Sequence, residues 1–193
     1  MKVDLREDQP RKNRQLLLTI LFAFIVAVSL IVLLRNERDS ALTPIRPIQA
    51  GLPVPDFTLP DLGGQEVSLS DHRGKVVLVN IWATWCSPCR EEMPSMQRLY
   101  DRFKGENFVI LAVSVDSTGR EAVAPFMRKL NLAFPALLDP EGNIKPAYGV
   151  TGVPESFIVD KEGILVKKII GPIDWAAPEV YRFFRDLIQR PKS

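Results

Sequence analysis

Between Lys75 and Trp82 the chain reads Lys-Val-Val-Leu-Val-Asn-Ile-Trp, a run whose apolar residues do not alternate with polar ones. A strand of that kind is buried on both faces, which requires a sheet covered on both sides. Phe108 to Val115 (FVILAVSV) is a second run of the same type. After each run the period changes. Met93, Met96, Leu99, Tyr100 and Phe103 recur at three and four, as do Val123, Phe126, Met127 and Leu130, so each set predicts one apolar helical face. Phe157–Val159 and Leu165–Ile170 read as two more strands, joined by Asp160-Lys161-Glu162-Gly163 as a hairpin-type turn. Val180, Phe183, Phe184, Leu187 and Ile188 mark a last helix, with Pro178 suited to its first turn. In front, Phe57-Thr58-Leu59 and Val67-Ser68-Leu69 alternate around Gly63-Gly64, a short hairpin. The predicted order is β-α-β-α-β-β-α behind a hairpin, with residues 132–150 an extra segment. That is an α/β domain, a sheet flanked by helices.

Ahead of it lies an apolar segment of another kind. Leu16 to Leu34 carries no charge, and its nineteen residues include only Thr19 and Ser29 as polar side chains. As a helix it would span roughly 28 Å, close to the hydrocarbon thickness of a bilayer. A cleaved signal peptide has a shorter apolar core and a small-x-small site, whereas Arg35-Asn36-Glu37-Arg38 follows this run. Residues 16–34 are therefore predicted to be a single uncleaved transmembrane helix in contact with the lipid bilayer. Lys2, Arg6, Arg11, Lys12 and Arg14 precede it, against Arg35, Arg38 and Arg46 after it. That bias puts residues 1–15 on the cytoplasmic side and the domain outside the cytoplasm. Pro44, Pro47, Pro53 and Pro55 make 35–55 a tether and leave 56–190 as the domain.

Composition narrows the chemistry. Lys and Arg total 25 against 23 Asp and Glu, with no clustered basic patch, so no nucleic-acid partner is expected. Two Cys and one His cannot complete a four-ligand zinc site or staple a disulfide-dense scaffold. No metal and no cofactor are expected. Both cysteines fall in Trp85-Cys86-Ser87-Pro88-Cys89, where the first long strand meets the first long helix. Unpaired amides and the dipole at a helix N-terminus stabilise negative charge, so a Cys86 thiolate is favoured there. Cys89, one turn inside, is placed to attack a mixed disulfide on Cys86. Pro88 fits the first turn, where its missing N–H costs nothing. Three blander readings compete. A stabilising disulfide closing so short a loop would restrict the unfolded chain little. Half a zinc site would need partners that His72 alone does not supply, and two inert thiols would sit at this junction by chance.

Val79–Pro94 (VNIWATWCSPCREEMP) resembles the membrane-tethered thioredoxin-like proteins of cytochrome c maturation, the TlpA, ResA and CcmG (DsbE) group. The resemblance runs from about Gly51 to Gln189 and takes in Pro55-Asp56-Phe57-Thr58-Leu59 and Gly152-Val153-Pro154-Glu155-Ser156-Phe157. It implies a thioredoxin fold, a central mixed sheet flanked by helices, and a redox-active Cys86–Cys89 disulfide. It also implies a cis Val153–Pro154 bond beside Cys86, presenting the Val153 backbone to an extended substrate, with Trp85 lining the site. General thioredoxins carry a buried Asp below the cysteines; this chain has Asn80, which cannot exchange protons. The resembling group instead has an acid three residues after the second Cys, here Glu92, nearly one turn from Cys89. A carboxylate there raises a buried thiol's pKa and relays its proton. Glu91 reads as an acid that complements the helix dipole. Glu155 matches an acid of the CcmG branch and is expected to converge on the same site. Trp82 and Trp175 read as packing residues, Arg90 as part of a solvated face, and His72 as an exposed loop residue.

The function implied is reduction of the disulfide in the C-x-x-C-H motif of apocytochrome c before haem attachment, by Cys86 attack and Cys89 resolution. Turnover in an oxidising compartment would need a membrane electron donor of the CcdA or DsbD type. Three alternatives stand beside it: a general extracytoplasmic reductase of other disulfide-containing proteins, a thiol peroxidase, and a non-catalytic cytochrome c assembly module. Peroxidases of the peroxiredoxin kind share the hairpin and the P-D-F-T-L start but place Thr three residues before the reactive Cys, whereas Thr84 is two before Cys86.

Overall fold

The protein is described by a computed structural model covering residues 18, 20–30 and 48–191. The chain divides into two compact units, 1–45 and 46–193. In the first, residues 20–30 are helical with their apolar side chains exposed, among them Phe22, Phe24 and Ile25. Among the described residues no helix is long and apolar enough to cross a membrane. The rest of the predicted 16–34 span, the 1–15 segment and most of the tether lie outside the described residues.

In the second unit, the doubly apolar runs form the middle of a five-stranded sheet. The strands are β3 (Val76–Trp82), β4 (Phe108–Ser114), β5 (Ala136–Leu138), β6 (Glu155–Val159) and β7 (Leu165–Ile170), in the order β5-β4-β3-β6-β7. β3 runs parallel to β4, and β4 parallel to β5; β6 lies antiparallel to β3, and β7 antiparallel to β6. Every residue of β3 and β4 is buried, as their lack of alternation requires. The expected front hairpin is β1 (Thr58–Pro60) paired with β2 (Glu66–Ser68), and a bridge from Asp61 to Leu137 ties it to the sheet edge.

Helix α1 (Ser87–Phe103), α2 (Arg120–Lys129) and α4 (Pro178–Gln189) pack with one face, against Val76, Leu78, Trp82, Ile110 and Ala112. The opposite face carries Val77, Val79, Ile81 and Phe157, covered by Ile144 and Tyr148 around the short α3 (Ile144–Ala147) and by Leu69. The stripe of α1 that faces inward is Cys89, Met93, Met96, Leu99 and Phe103, all buried. Two polar residues, Glu92 and Ser95, sit in that same buried stripe.

Three expectations need correction. The extra segment 132–150 contributes β5 and α3; three strand residues beside Pro135 are too short to show a period. The domain also begins before residue 56, since Gly51 N–H donates to the Leu165 carbonyl (2.8 Å) and Leu165 N–H to that of Leu52 (2.9 Å). Pro53, which has no N–H to offer, bridges Ile164 at that edge, where proline is tolerated. His72 is half-buried rather than exposed, at the end of a 3-10 turn (Leu69–His72), and burial lowers its pKa.

Candidate active site

β3 ends at Trp82, and the chain turns through Ala83–Trp85 into α1. β4 holds that turn. The Thr84 N–H and hydroxyl donate to the Asp116 carboxylate (2.9 and 2.6 Å), which also accepts from the Ser114 hydroxyl (2.7 Å). Cys86 is the N-cap of α1 in extended conformation, and its Sγ accepts the Cys89 N–H at 3.2 Å. A group that takes a hydrogen bond from a helix N-terminal amide is stabilised as an anion, so the reduced Cys86 is the sulfur poised as thiolate. Pro88 lies in the first turn, as expected, and that turn carries no acid. Glu91, one turn in, accepts from the Ser87 hydroxyl at 3.3 Å.

Cys86 and Cys89 are joined as a disulfide, with Cα atoms 5.3 Å apart. Cys86 retains 5% exposure and Cys89 none, so the two sulfurs differ in their access to a partner. The Val153–Pro154 bond is cis, and the Val153 carbonyl oxygen lies 3.5 Å from Cys86 Sγ. The loop and the disulfide thus come together as the resemblance implies. Beside them Trp85 is 67% exposed. Ile170, 72% exposed at the end of β7, was not anticipated; the next residue, Gly171, donates its N–H to the Pro154 carbonyl (2.9 Å). Trp85, a large apolar side chain left in solvent next to Cys86, suits an apolar polypeptide partner.

Glu92 is buried one turn beyond Cys89 on the same stripe. Asn80 Nδ2 donates to its Oε1 at 3.0 Å and Trp175 Nε1 to its Oε2 at 2.9 Å, with the Ile173 N–H at 3.4 Å. Burial raises the Glu92 pKa, and the hydrogen bonds from Trp175, Asn80 and Ile173 partly offset that rise. Asn80 also donates to Ser156 Oγ (2.9 Å), its cross-strand partner. A cleft of about 350 Å³ lined by Glu92, Ser95, Arg98 and Ile173 opens beside the carboxyl.

Glu155 does not join this group. It pairs with Ile81, one residue along from the Asn80–Ser156 pair, so the pleat turns it to the other face of the sheet. There its Oε1 accepts from the Thr151 N–H (2.9 Å), the Thr151 hydroxyl (3.1 Å) and the Gly152 N–H (3.3 Å), and its Oε2 pairs with Lys168 Nζ at 2.7 Å. Burial alone would raise its pKa; the Lys168 ammonium and the Thr151 donors outweigh this and hold it low. Its place is behind the Val153–Pro154 loop, fixing the two residues that precede Val153.

Trp175 packs on Phe184 as expected (ring centroids 6.5 Å), but its indole N–H also reaches Glu92. The usable sequence signal was indirect. Two polar residues, Glu92 and Ser95, in an otherwise apolar buried stripe must find partners from another segment.

Residues 50–168 match the AhpC/TSA family. The chain is 40% identical over 124 residues to the thiol-disulfide oxidoreductase ResA of Bacillus thuringiensis subsp. konkukian, covering 64% of this chain and 71% of that protein. It is 39% identical to ResA of Bacillus subtilis, over 64% and 69% of the two chains. A thiol:disulfide interchange protein of the DsbE kind from Chlorobium tepidum superposes with a TM-score of 0.63 at 32% identity, over 73% of this chain and 96% of that one. With the C-x-x-C disulfide at a helix N-terminus, these likenesses place the chain in the AhpC/TSA family, among the thioredoxin-like thiol-disulfide oxidoreductases of the ResA and DsbE group.

Proposed function

We propose that the protein is a membrane-tethered, extracytoplasmic reductase of protein disulfides, with the C-x-x-C-H disulfide of apocytochrome c as its substrate. The observation that carries the mechanism is the asymmetry of the pair: Cys86 keeps a narrow exposure, 5%, beside the Val153 carbonyl, and Cys89 is wholly enclosed. The Cys86 thiolate attacks one substrate sulfur, breaks its S–S bond and forms a mixed disulfide, and the released substrate thiolate takes a proton. Glu92 accepts the proton of Cys89. The Cys89 thiolate then attacks Cys86 Sγ and releases the second substrate thiolate, leaving the Cys86–Cys89 disulfide. The substrate gains two electrons and two protons; a dithiol donor in the membrane, of the CcdA or DsbD type, restores the pair.

Trp85 and the Val153 backbone hold the substrate chain, and Glu155 acts through the loop it fixes. The apolar run 16–34 and the basic residues before it support the tether and its orientation in a bacterial inner membrane. Against a peroxidase, the Thr84 hydroxyl is committed to Asp116 rather than offered to Cys86. Trapping tests the substrate: the Cys89→Ser chain, expressed in the native host, should accumulate a mixed disulfide between Cys86 and apocytochrome c. Capture of other proteins in its place would make this a general reductase. If a Cys86→Ser/Cys89→Ser double variant sustains cytochrome c maturation, the assembly-module reading replaces both.

A further inference from the structure

Two of the three donors that hold Glu92 come from one short segment. Residues 171–177, between β7 and α4, belong to no strand or long helix, yet they supply the Ile173 N–H and the Trp175 indole N–H, both to Oε2. The segment is tied at both ends. Gly171 N–H donates to the Pro154 carbonyl (2.9 Å), and Trp175 N–H donates to Ser95 Oγ (3.1 Å), whose hydroxyl donates to the Glu92 carbonyl (2.7 Å). The indole is fully buried. A phenyl ring would satisfy the packing on Phe184 but would bring no N–H to the carboxylate, as the indole does.

We propose that Trp175 is a positioning residue for the thiol–disulfide reaction, its indole N–H fixing Oε2 of Glu92 so that Oε1 is the oxygen that takes the Cys89 proton. This rests on the reading of Glu92 as proton acceptor given above. Oε2 faces an indole and a backbone N–H, neither of which can accept a hydrogen bond, so a proton placed there would confront other protons. Oε1 faces a single donor, Asn80 Nδ2, whose amide also carries a buried Oδ1 without a partner; turning that amide over sets Oδ1, an acceptor, against a protonated Oε1 and the Ser156 hydroxyl. The proton moves from Cys89 Sγ to Glu92 Oε1 and later leaves through the cleft beside Glu92, while the electron pair of the S–H bond stays on Cys89.

The groups around Glu92 leave this assignment intact. From β3 and β6 only the neutral Asn80 and Ser156 face it. From its own helix come Cys89, Ser95, Glu91 and Arg98, and from the loop Asp174. Arg98 and Asp174 are paired with each other at 3.6 Å, both well exposed at the cleft, so their net field on Glu92 is small.

The test follows the carboxyl and the rate together in the full chain. Trp175→Phe removes the N–H, and 3-benzothienylalanine at position 175 removes it with the bicyclic ring kept should the Phe variant fold poorly. Losing a hydrogen bond to a charged group should move the Glu92 titration, read by carbon-13 NMR of its side-chain carboxyl, upward by about one pH unit. The pH profile of mixed-disulfide resolution should move with it, slowing the step about tenfold on the acid limb. An unmoved Glu92 titration overturns the proposal, and so does a moved titration with an unchanged rate profile. Glu92→Gln separates the two claims. If that variant keeps the wild-type rate profile, the proton-acceptor role of Glu92 fails; if it loses the acid limb while Trp175→Phe changes nothing, only the role of Trp175 fails.

Discussion

Cys86 and Cys89 share a motif but not an environment. One sulfur caps a helix and borders the Val153 loop; the other is sealed under α1. Cys86→Ser should therefore abolish disulfide reduction, and Cys89→Ser should retain the first attack but stall at the mixed disulfide, a difference that gel analysis under non-reducing conditions reads directly. Glu92 adds a pH signature. Its pKa is raised in the fold, so its contribution to stability is full below the ordinary carboxylate value of 4.5 and is lost as pH rises through the raised value. Denaturant titrations at pH 5 and pH 8 should show the wild type losing more stability over that interval than Glu92→Gln. Equal losses would mean that burial does not perturb this carboxyl. The Cys86–Cys89 pair and its place at a strand–helix junction were legible in the sequence, because motif and change of period are local, whereas Glu92 was singled out through the family resemblance. Trp175 was not: its indole N–H meets a residue 83 positions earlier, and no period or spacing encodes that meeting.

At the scale of elements, legibility followed length and pattern rather than burial: half-exposed β7 was read and wholly buried β5 was not. β3, β4 and α1 follow from unbroken apolar runs and a change of period, whereas β5 is three residues long and rests on its neighbour β4. Glu155 shows the same limit. Its sequence position beside Pro154 suggested convergence with Glu92, but a strand alternates its faces, and the one-residue step from Ser156 sends it to the opposite side. The element it serves is the loop of Thr151–Pro154. Lys168→Met would leave the Glu155 carboxylate buried without its cation and should cost about 2–3 kcal/mol of stability, measurable by chemical denaturation. Because Glu155 also fixes the N–H groups of Thr151 and Gly152, substrate affinity should fall while the reactivity of Cys86 toward a small disulfide stays near wild type. Loss of both together would place Lys168 in the chemistry rather than in the loop.

Across the whole molecule, a nearly balanced charge conceals two regions. Basic residues outnumber acidic ones before residue 51, around the apolar run, and the folded domain carries no such excess. The domain itself is built so that a sheet with two fully buried central strands leaves one sulfur a narrow opening to solvent and encloses the other. A carboxyl held beneath by donors from β3 and the 171–177 segment completes the arrangement. Such a pair reduces substrates only if its own disulfide is hard to reduce. The equilibrium potential of Cys86–Cys89, measured against a dithiothreitol buffer at pH 7, tests this most directly. A value toward about −270 mV fits a reductase, and a value near about −120 mV would make the protein an oxidant and contradict the proposed direction.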